Sequence, residues 1–176
     1  CPSQKNFTGE LGDRGSGEPK IVFSRIMIKA ISLISGGLDS TLATKVVLEQ
    51  GIDVVAANFI SPFCRCNHRK GCQHEAKFVS EEFGILLKIV NVTDDFLEVL
   101  KSPKHGYGSH MNPCIDCRIL MLKKAKDLMK ELDASFLVTG ETVGQRPMSQ
   151  KVNTTPLNEK AAGVGEVVLR PLSAKL

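Results

Sequence analysis

Short apolar runs alternate with amphipathic segments along most of the chain. An Ile-rich run at 29–35 has the length of a buried strand, and residues 53–60 form a second such run. Between them, apolar residues recur at helical spacing from Leu42 to Val47, and Gly51 supplies the left-handed residue that commonly ends a helix. The pattern therefore predicts a strand, a helix and a second strand.

The alternation of strands and helices continues to the end of the chain. The later predicted elements are a helix at 75–83, a strand at 86–90, a loop at 101–113, a helix at 114–132 and strands at 135–139 and 167–172. This order favours an α/β fold, in which right-handed crossovers join a doubly wound, parallel five-stranded sheet. In such a sheet, ligands bind at the carboxyl ends of the strands.

The first 20 residues differ in pattern from the rest of the chain. They carry Gly, Ser, Pro and charges without periodicity, so we expect 1–20 to be a flexible arm or the remnant of an upstream region, and 21–176 to be the folded domain. The same segment is too polar for a signal peptide, and no apolar run approaches the roughly 20 residues of a membrane helix. We therefore expect a cytoplasmic protein with no membrane partner.

Composition adds two points to this picture. The net charge of +4 fits a polyanionic partner, although 23 basic against 19 acidic residues is a mild excess. Six cysteines in a reducing compartment are more often metal ligands or reactive thiols than disulfides. The positions of the cysteines therefore indicate candidate metal-binding or catalytic sites.

The segment S-G-G-L-D-S lies between the first predicted strand and its helix. Paired glycines there let successive amide groups point inward and form an anion-binding nest at the positive end of the helix. Asp39 is placed to cap that helix and to hold a magnesium ion that accompanies phosphates. The segment predicts a phosphate site, and the alternative is a tight turn that only packs the helix on the strand. Its candidate binding residues are Ser35, Gly36, Gly37, Leu38, Asp39 and Ser40.

A second motif, N-P-C-I-D-C, opens the helix predicted at 114–132. Asn112 is predicted to be the N-cap and Pro113 the first helical residue. Cys114 and Cys117 then share one face of the first turn. The helix dipole stabilises a thiolate at that end, so these cysteines are candidate nucleophiles or metal ligands. A buried structural pair of cysteines is the alternative.

A third motif, T-G-E-T-V-G-Q, begins at Thr139 at the end of a predicted strand and is followed by Arg146. Gly140 allows the backbone to approach a nucleotide closely, and Arg146 is a candidate for binding phosphate or RNA. Phe59, near the end of the second predicted strand, is a candidate contact for a base. An ordinary loop after a strand is the alternative for the third motif.

Cysteine and histidine residues also crowd the loop after the second predicted strand, at Cys64, Cys66, Cys72 and His74. Such side chains can build a tetrahedral zinc site, but the one-residue gap between Cys64 and Cys66 departs from the usual finger spacing. These four residues and the Cys114 pair are the candidate metal ligands. The alternative is a flexible polar loop over the active site.

The three motifs resemble those of known families. S-G-G-L-D-S resembles the PP-loop of the ATP pyrophosphatase superfamily, whose members split ATP between its α and β phosphates and transfer AMP to a substrate oxygen. N-P-C-I-D-C resembles the motif of the tRNA 2-thiouridine synthases, with the catalytic cysteine at Cys117, and its cysteine pair is similar to that of the tRNA 2-thiocytidine synthases. T-G-E-T-V-G-Q, together with L-R-P-L at 169–172, resembles the tRNA 4-thiouridine synthetases.

The resemblance covers about residues 28–172 and implies an adenine nucleotide alpha hydrolase-like (Rossmann-like) fold and ATP-dependent thiolation of a tRNA uridine. It implies ATP and Mg²⁺ as cofactors, and Asp39, Cys114 and Cys117 as catalytic residues. Sulfur would pass through a persulfide on Cys117, or through a 4Fe-4S cluster that Cys114 and Cys117 hold with a third cysteine. The implied partners are tRNA and a sulfur donor protein or sulfide, and a homodimer is a further expectation.

Two other functions remain open at this point. PP-loop ligases that act on a small carboxylate share the first motif, and a non-catalytic nucleotide- and metal-binding module would need none of the sulfur chemistry. Pyrophosphate release that depends on tRNA would separate a thiolase from a binding module. Loss of activity on Cys117→Ser would separate a thiolase from a ligase.

Overall fold

A computed structural model of the chain describes residues 28–61, 71–108, 111–145 and 150–173, with residues 71 and 72 described in their backbone only. Within these residues the strands are β1 (Lys29–Leu33), β2 (Asp53–Ile60), β3 (Leu87–Asn91), β4 (Phe136–Thr139) and β5 (Val168–Leu169). The helices are α1 (Leu38–Glu49), α2 (Gly71–Phe83), α3 (Thr93–Lys101), α4 (Cys114–Glu131) and α5 (Thr154–Ala162). The arm predicted at 1–20 lies outside the described residues.

The strands of the described residues form one five-stranded sheet in the order β3-β2-β1-β4-β5. β1 is central and pairs with β2 and β4, so Ile31 lies between Val55 on one side and Leu137 on the other. All four strand pairs are parallel. Strands that are buried on both faces are mostly apolar, which explains why β1 and β2 could be recognised in the sequence despite the buried polar residues Ser32 and Asn58. The predicted parallel five-stranded sheet is confirmed.

Helices cover both faces of this sheet, as predicted for a doubly wound fold. Side chains alternate between the two faces of a strand. Ala30 therefore packs with Ala43 and Val47 of α1 on one face, whereas Ile31 packs with Leu122 of α4 on the other. α2 lies on the same face as α1, and α5 lies beside α4. Among the described residues, no helix has both the length and the apolar character needed to cross a membrane.

The direction of α4 decides where its first turn lies. At the amino edge of the sheet, Lys29 Nζ donates a hydrogen bond to the carbonyl of Leu132, just after α4, at 3.2 Å. At the carboxyl edge, Arg118 near the start of α4 pairs with Glu141, two residues beyond β4. α4 therefore runs antiparallel to the strands, and its first turn lies at the carboxyl edge, where parallel sheets bind their ligands.

Several elements differ from the predicted ones. α3 and α5 were not predicted, because nine residues are too few for helical periodicity to stand out from the background. β5 is shorter than the strand predicted at 167–172, because Pro171 has no backbone N–H to donate and a short 3-10 turn, Pro171–Ser173, follows. α2 begins at Gly71, ahead of the start predicted at residue 75.

The packing of Leu122 gives a test of this core. Its side chain is 0% exposed on the inner face of α4. Leu122→Ala should lower the free energy of unfolding by about 2–5 kcal/mol, because the substitution leaves a cavity that the surroundings cannot fully close. Urea unfolding followed by circular dichroism measures the change. Leu157→Ala on α5 is the control, since that side chain is 44% exposed and its loss should cost no more than about 0.5 kcal/mol. Equal losses in the two variants would contradict this packing.

Candidate active site

The turn after β1 has the geometry of an anion cradle. Gly36 has a φ of +79°, a left-handed conformation that favours glycine, and a Cβ placed there would lie 2.4 Å from Glu75 Cβ of α2. Gly37 is the N-cap of α1, and its carbonyl accepts the first bond of that helix from Thr41 N at 3.1 Å. The amide groups of residues 38–40 lie ahead of this bond, as in the helix ends that bind phosphate.

Two serines brace this turn. Ser35 Oγ accepts a hydrogen bond from Gly37 N at 3.3 Å, and Ser40 Oγ donates one to the carbonyl of Gly37 at 2.9 Å. The two hydroxyl oxygens lie 3.2 Å apart. Ser40 is buried, whereas Ser35 is exposed. Ser40 therefore holds the shape of the turn, and Ser35 is the hydroxyl that a ligand can reach.

Asp39 lies inside the first turn of α1 and is half-buried. The predicted capping role of Asp39 is wrong, because the N-cap is Gly37 and the described residues give α1 no side-chain cap. A carboxylate in the first turn is instead stabilised by the helix dipole, and its oxygens suit a hard cation such as Mg²⁺. Leu38, which precedes it, is 72% exposed, so its contribution to the cradle is its backbone amide.

The end of β4 packs directly on this turn. A Cβ placed on Gly140 would lie 2.5 Å from both Cα and N of Ser40, and 2.6 Å from the carbonyl carbon of Asp39. These are backbone atoms that cannot rotate aside, so a side chain at Gly140 has no room. The close approach that the sequence predicts at Gly140 is therefore made to the backbone of α1, and its approach to a nucleotide stays a prediction.

The cysteine pair opens α4. The helix begins at Cys114 with Pro113 as its N-cap, so the predicted positions of the cap and first helical residue are wrong by one. Asn112 acts through its backbone, because its carbonyl accepts hydrogen bonds from Gly108 N and Cys114 N, both at 2.9 Å. Neither Cys114 nor Cys117 belongs to a disulfide, and each is half-buried. The alternative of a core pair is therefore not supported.

An acidic side chain between the two cysteines ties a loop to the helix start. Asp116 Oδ2 accepts a hydrogen bond from His105 N, and Asp116 Oδ1 lies 2.8 Å from His105 Nδ1. Asp116 is buried, with 9% of its side chain exposed. This contact fixes the loop after α3 against the first turn of α4. The only sign of this contact in the sequence is an acidic residue in the first turn of a helix.

A chain of charges connects the end of β4 with three other elements. Glu141 Oε1 lies 2.8 Å from Arg118 Nε on α4, and Glu141 Oε2 accepts a hydrogen bond from Arg170 Nε, just after β5, at 3.2 Å. Arg170 also pairs with Glu159 on α5. Each of the four charged side chains is at most 14% exposed. Glu141 and Arg170 lie within the T-G-E-T-V-G-Q and L-R-P-L motifs, and neither motif predicts their pairing.

The other predicted site residues have varied positions. Phe59 lies near the end of β2, where it is partly buried against the core on the α4 face. The backbone of Cys72 belongs to α2, and His74 on the same helix is exposed. Cys64, Cys66 and Arg146 lie outside the described residues. Within the described ranges, no group of three or more His, Cys, Asp or Glu residues could hold a metal ion. The zinc site and the third cluster ligand stay predictions.

Two curated relatives resemble the chain in sequence. It is 35% identical over 119 residues to a probable tRNA sulfurtransferase of Lachnospira eligens, and the matched region covers 66% of this chain and 29% of that protein. It is 30% identical over 131 residues to the tRNA-specific 2-thiouridylase MnmA of Methylobacterium radiotolerans, and the matched region covers 68% of this chain and 34% of that protein. The chain thus spans about a third of the length of these relatives.

Two solved structures are similar to the fold of this chain. A crystal structure of a 4-thiouridine synthetase–RNA complex with bound ATP matches with a TM-score of 0.67 at 29% identity, over 84% of this chain and 37% of that chain. The U34-tRNA thiolase NcsA of Methanococcus maripaludis, solved with its 4Fe-4S cluster, matches with a TM-score of 0.50 at 26% identity, over 65% of this chain and 38% of that chain.

The parallel sheet, the glycine turn after β1 and the cysteines at the start of α4 define a PP-loop domain of the ATP pyrophosphatase class. A family model described as Thiamine biosynthesis protein (ThiI) matches residues 26–175. The chain belongs to this family. The resemblance to tRNA thiouridine synthases that its three motifs indicate is thereby confirmed.

Proposed function

We propose that residues 21–176 are the catalytic PP-loop domain of an ATP-dependent tRNA sulfurtransferase. The observation that carries the proposal is a shared location. The glycine turn after β1 and the two cysteines at the start of α4 lie at the same carboxyl edge of the sheet. This placement supports a reaction that activates a base with ATP and delivers sulfur to it at one site. The named tRNA sulfurtransferase and 2-thiouridylase relatives support tRNA as the substrate.

The first step is adenylation of the base. The phosphates of ATP would bind in the turn at residues 35–40, with Mg²⁺ held by Asp39. A uridine carbonyl oxygen attacks the α-phosphorus, the bond from that phosphorus to the bridging oxygen breaks, and pyrophosphate leaves. The base then carries AMP on its oxygen, which turns a poor leaving group into a good one. The 4-thiouridine synthetase solved with RNA and bound ATP supports the use of both ligands by one protein.

The second step replaces oxygen with sulfur. A persulfide on Cys117 attacks the adenylated carbon, the carbon–oxygen bond breaks, and AMP leaves with the electron pair. The base is then joined to Cys117 through a disulfide, and attack by the Cys114 thiolate releases the thiolated base and leaves a protein disulfide. An external thiol reduces that disulfide. In the alternative supported by the cluster-bearing thiolase, Cys114 and Cys117 would hold a 4Fe-4S cluster with a third cysteine, and the cluster would supply the sulfur.

The proposed partners follow from this chemistry. They are tRNA and a sulfur donor protein or sulfide, and the net charge of +4 favours the polyanion. A cytoplasmic location and a homodimer complete the proposal. A zinc ion on the cysteine loop would be held by Cys64, Cys66, Cys72 and His74.

Pyrophosphate release in the presence of tRNA, ATP and Mg²⁺ tests the proposed function. Asp39→Asn should lower this release on the order of 10- to 100-fold, because an amide oxygen holds Mg²⁺ less strongly than a carboxylate. Asp94→Asn is the control, since it removes the same charge from an exposed position on α3 and should leave the rate unchanged. The proposal fails if the wild-type chain releases no pyrophosphate with tRNA. Release that depends on a small carboxylate instead would identify a ligase.

A further inference from the structure

The Arg118 guanidinium is incompletely paired. Its Nε lies 2.8 Å from Glu141 Oε1, yet Nε and Nη2 are both buried and neither donates a hydrogen bond to any residue that the structure describes. A guanidinium has five N–H donors in a planar fork and keeps its charge at all accessible pH values. Buried donors without an acceptor destabilise a fold. Nη2 in particular has no acceptor among the described residues, so the guanidinium has a donor that Glu141 does not use.

The position of Arg118 indicates which ligand this is. Arg118 directly follows Cys117 in the first turns of α4, and its partner Glu141 directly follows Gly140. Gly140 in turn contacts the backbone of Ser40 in the turn after β1. Arg118 is thus next to the candidate nucleophile in sequence, and two residues, Glu141 and Gly140, connect it to the turn after β1.

We infer that Arg118 binds the α-phosphate of the nucleotide and that Glu141 positions it. The inference rests on the proposed function, in which Cys117 must reach a carbon that is joined through oxygen to this phosphate. When that carbon–oxygen bond breaks, AMP leaves with an additional negative charge. A fixed guanidinium beside the phosphate stabilises the charge as it develops.

Glu141 is suited to a positioning role because its two carboxylate oxygens lie against different partners. Its second carboxylate oxygen accepts hydrogen bonds from Arg170 Nε at 3.2 Å and from Thr139 Oγ1 at 3.3 Å. Arg170, just after β5, therefore contacts the carboxylate on one side, and Arg118 lies on the other side. Arg170 is further anchored by Glu159 of α5. This anchoring fixes one edge of the Arg118 guanidinium and leaves the rest of its donors for an anion.

Calorimetric titration of the chain with ATP, AMP and inorganic pyrophosphate in the presence of Mg²⁺ tests the inference. Arg118→Met should weaken the binding of ATP and AMP by about 10- to 100-fold, the usual loss for a charge-assisted hydrogen bond to phosphate, and that of pyrophosphate by less than about threefold. Arg118→Lys keeps the charge without the fork, so it should recover part of the loss. Lys123→Met removes the same charge from an exposed position of α4 and should change none of the three affinities.

Glu141→Gln tests the positioning role in the same titration. The variant should weaken AMP binding, and its effect should largely disappear in the Arg118→Met background, because the two side chains act as one unit. Additive losses would overturn the positioning role.

The outcomes separate this inference from the proposed function. Wild-type AMP affinity in Arg118→Met and Arg118→Lys, equal losses for AMP and pyrophosphate, or a loss confined to RNA affinity would each overturn the inference and leave the proposed function standing. Wild-type protein that binds none of the three ligands would overturn both. Arg118-dependent AMP binding without tRNA-dependent pyrophosphate release would overturn only the proposed function.

Discussion

Cys117→Ser should abolish formation of thiolated tRNA while tRNA-dependent pyrophosphate release continues. The loss should reach at least about 1,000-fold, because a serine hydroxyl can neither carry a persulfide nor ligate iron as a thiolate does. In the proposed function, adenylation takes place at the turn after β1 and does not require the sulfur of Cys117. Mass spectrometry of nucleosides from digested tRNA measures the first activity, and a coupled pyrophosphate assay measures the second.

Cys114→Ser is the matched variant, because Cys114 lies in the same turn of α4 and is likewise a half-buried cysteine outside any disulfide. If sulfur is carried on Cys117, Cys114→Ser should transfer one sulfur to the base and then stall at the disulfide between base and protein. If both thiols ligate a cluster, the two variants should lose thiolation together. Wild-type thiolation by Cys117→Ser would contradict the role of Cys117, and loss of pyrophosphate release would show that the variant had damaged the nucleotide site.

The parts of this fold that the sequence predicts are those whose signals are local. β1 and β2 are buried on both faces, so they appear as short, mostly apolar runs. The turn after β1 needs a left-handed residue at Gly36, and only glycine accepts that conformation readily. The cysteines of α4 are three apart in sequence, which places them on one face of any helix.

The parts that the sequence could not predict depend on contacts between distant residues. Arg118 and Glu141 are 23 positions apart (141 − 118), and nothing in either motif indicates that they pair. The same holds for His105 and Asp116, which meet across a loop. The predicted caps of α1 and α4 were wrong because the N-caps are Gly37 and Pro113, neither of which makes a side-chain capping hydrogen bond. Contacts between distant residues determine these pairings and caps, and they cannot be read from the local propensities of the sequence.

Gly140→Ala should damage the nucleotide site from a position that bears no functional group. The added Cβ would lie 2.5 Å from the Cα and N of Ser40, and these backbone atoms can yield only if the turn moves. We expect the free energy of unfolding to fall by about 1–3 kcal/mol through overpacking, and ATP affinity to fall about 100-fold through displacement of the phosphate donors. Urea unfolding and calorimetric titration measure the two effects.

Gly165→Ala is the control for Gly140→Ala, because a Cβ placed there meets only Glu159 Cβ at 3.9 Å, an ordinary contact. It should change stability by no more than about 0.5 kcal/mol and leave ATP affinity unchanged. A Gly140→Ala chain that lost stability but bound ATP normally would show that the turn can shift without losing its phosphate donors. The placement of the nucleotide beside Ser40 would then be wrong, because a ligand held by the amides of residues 38–40 must respond to any movement of that backbone.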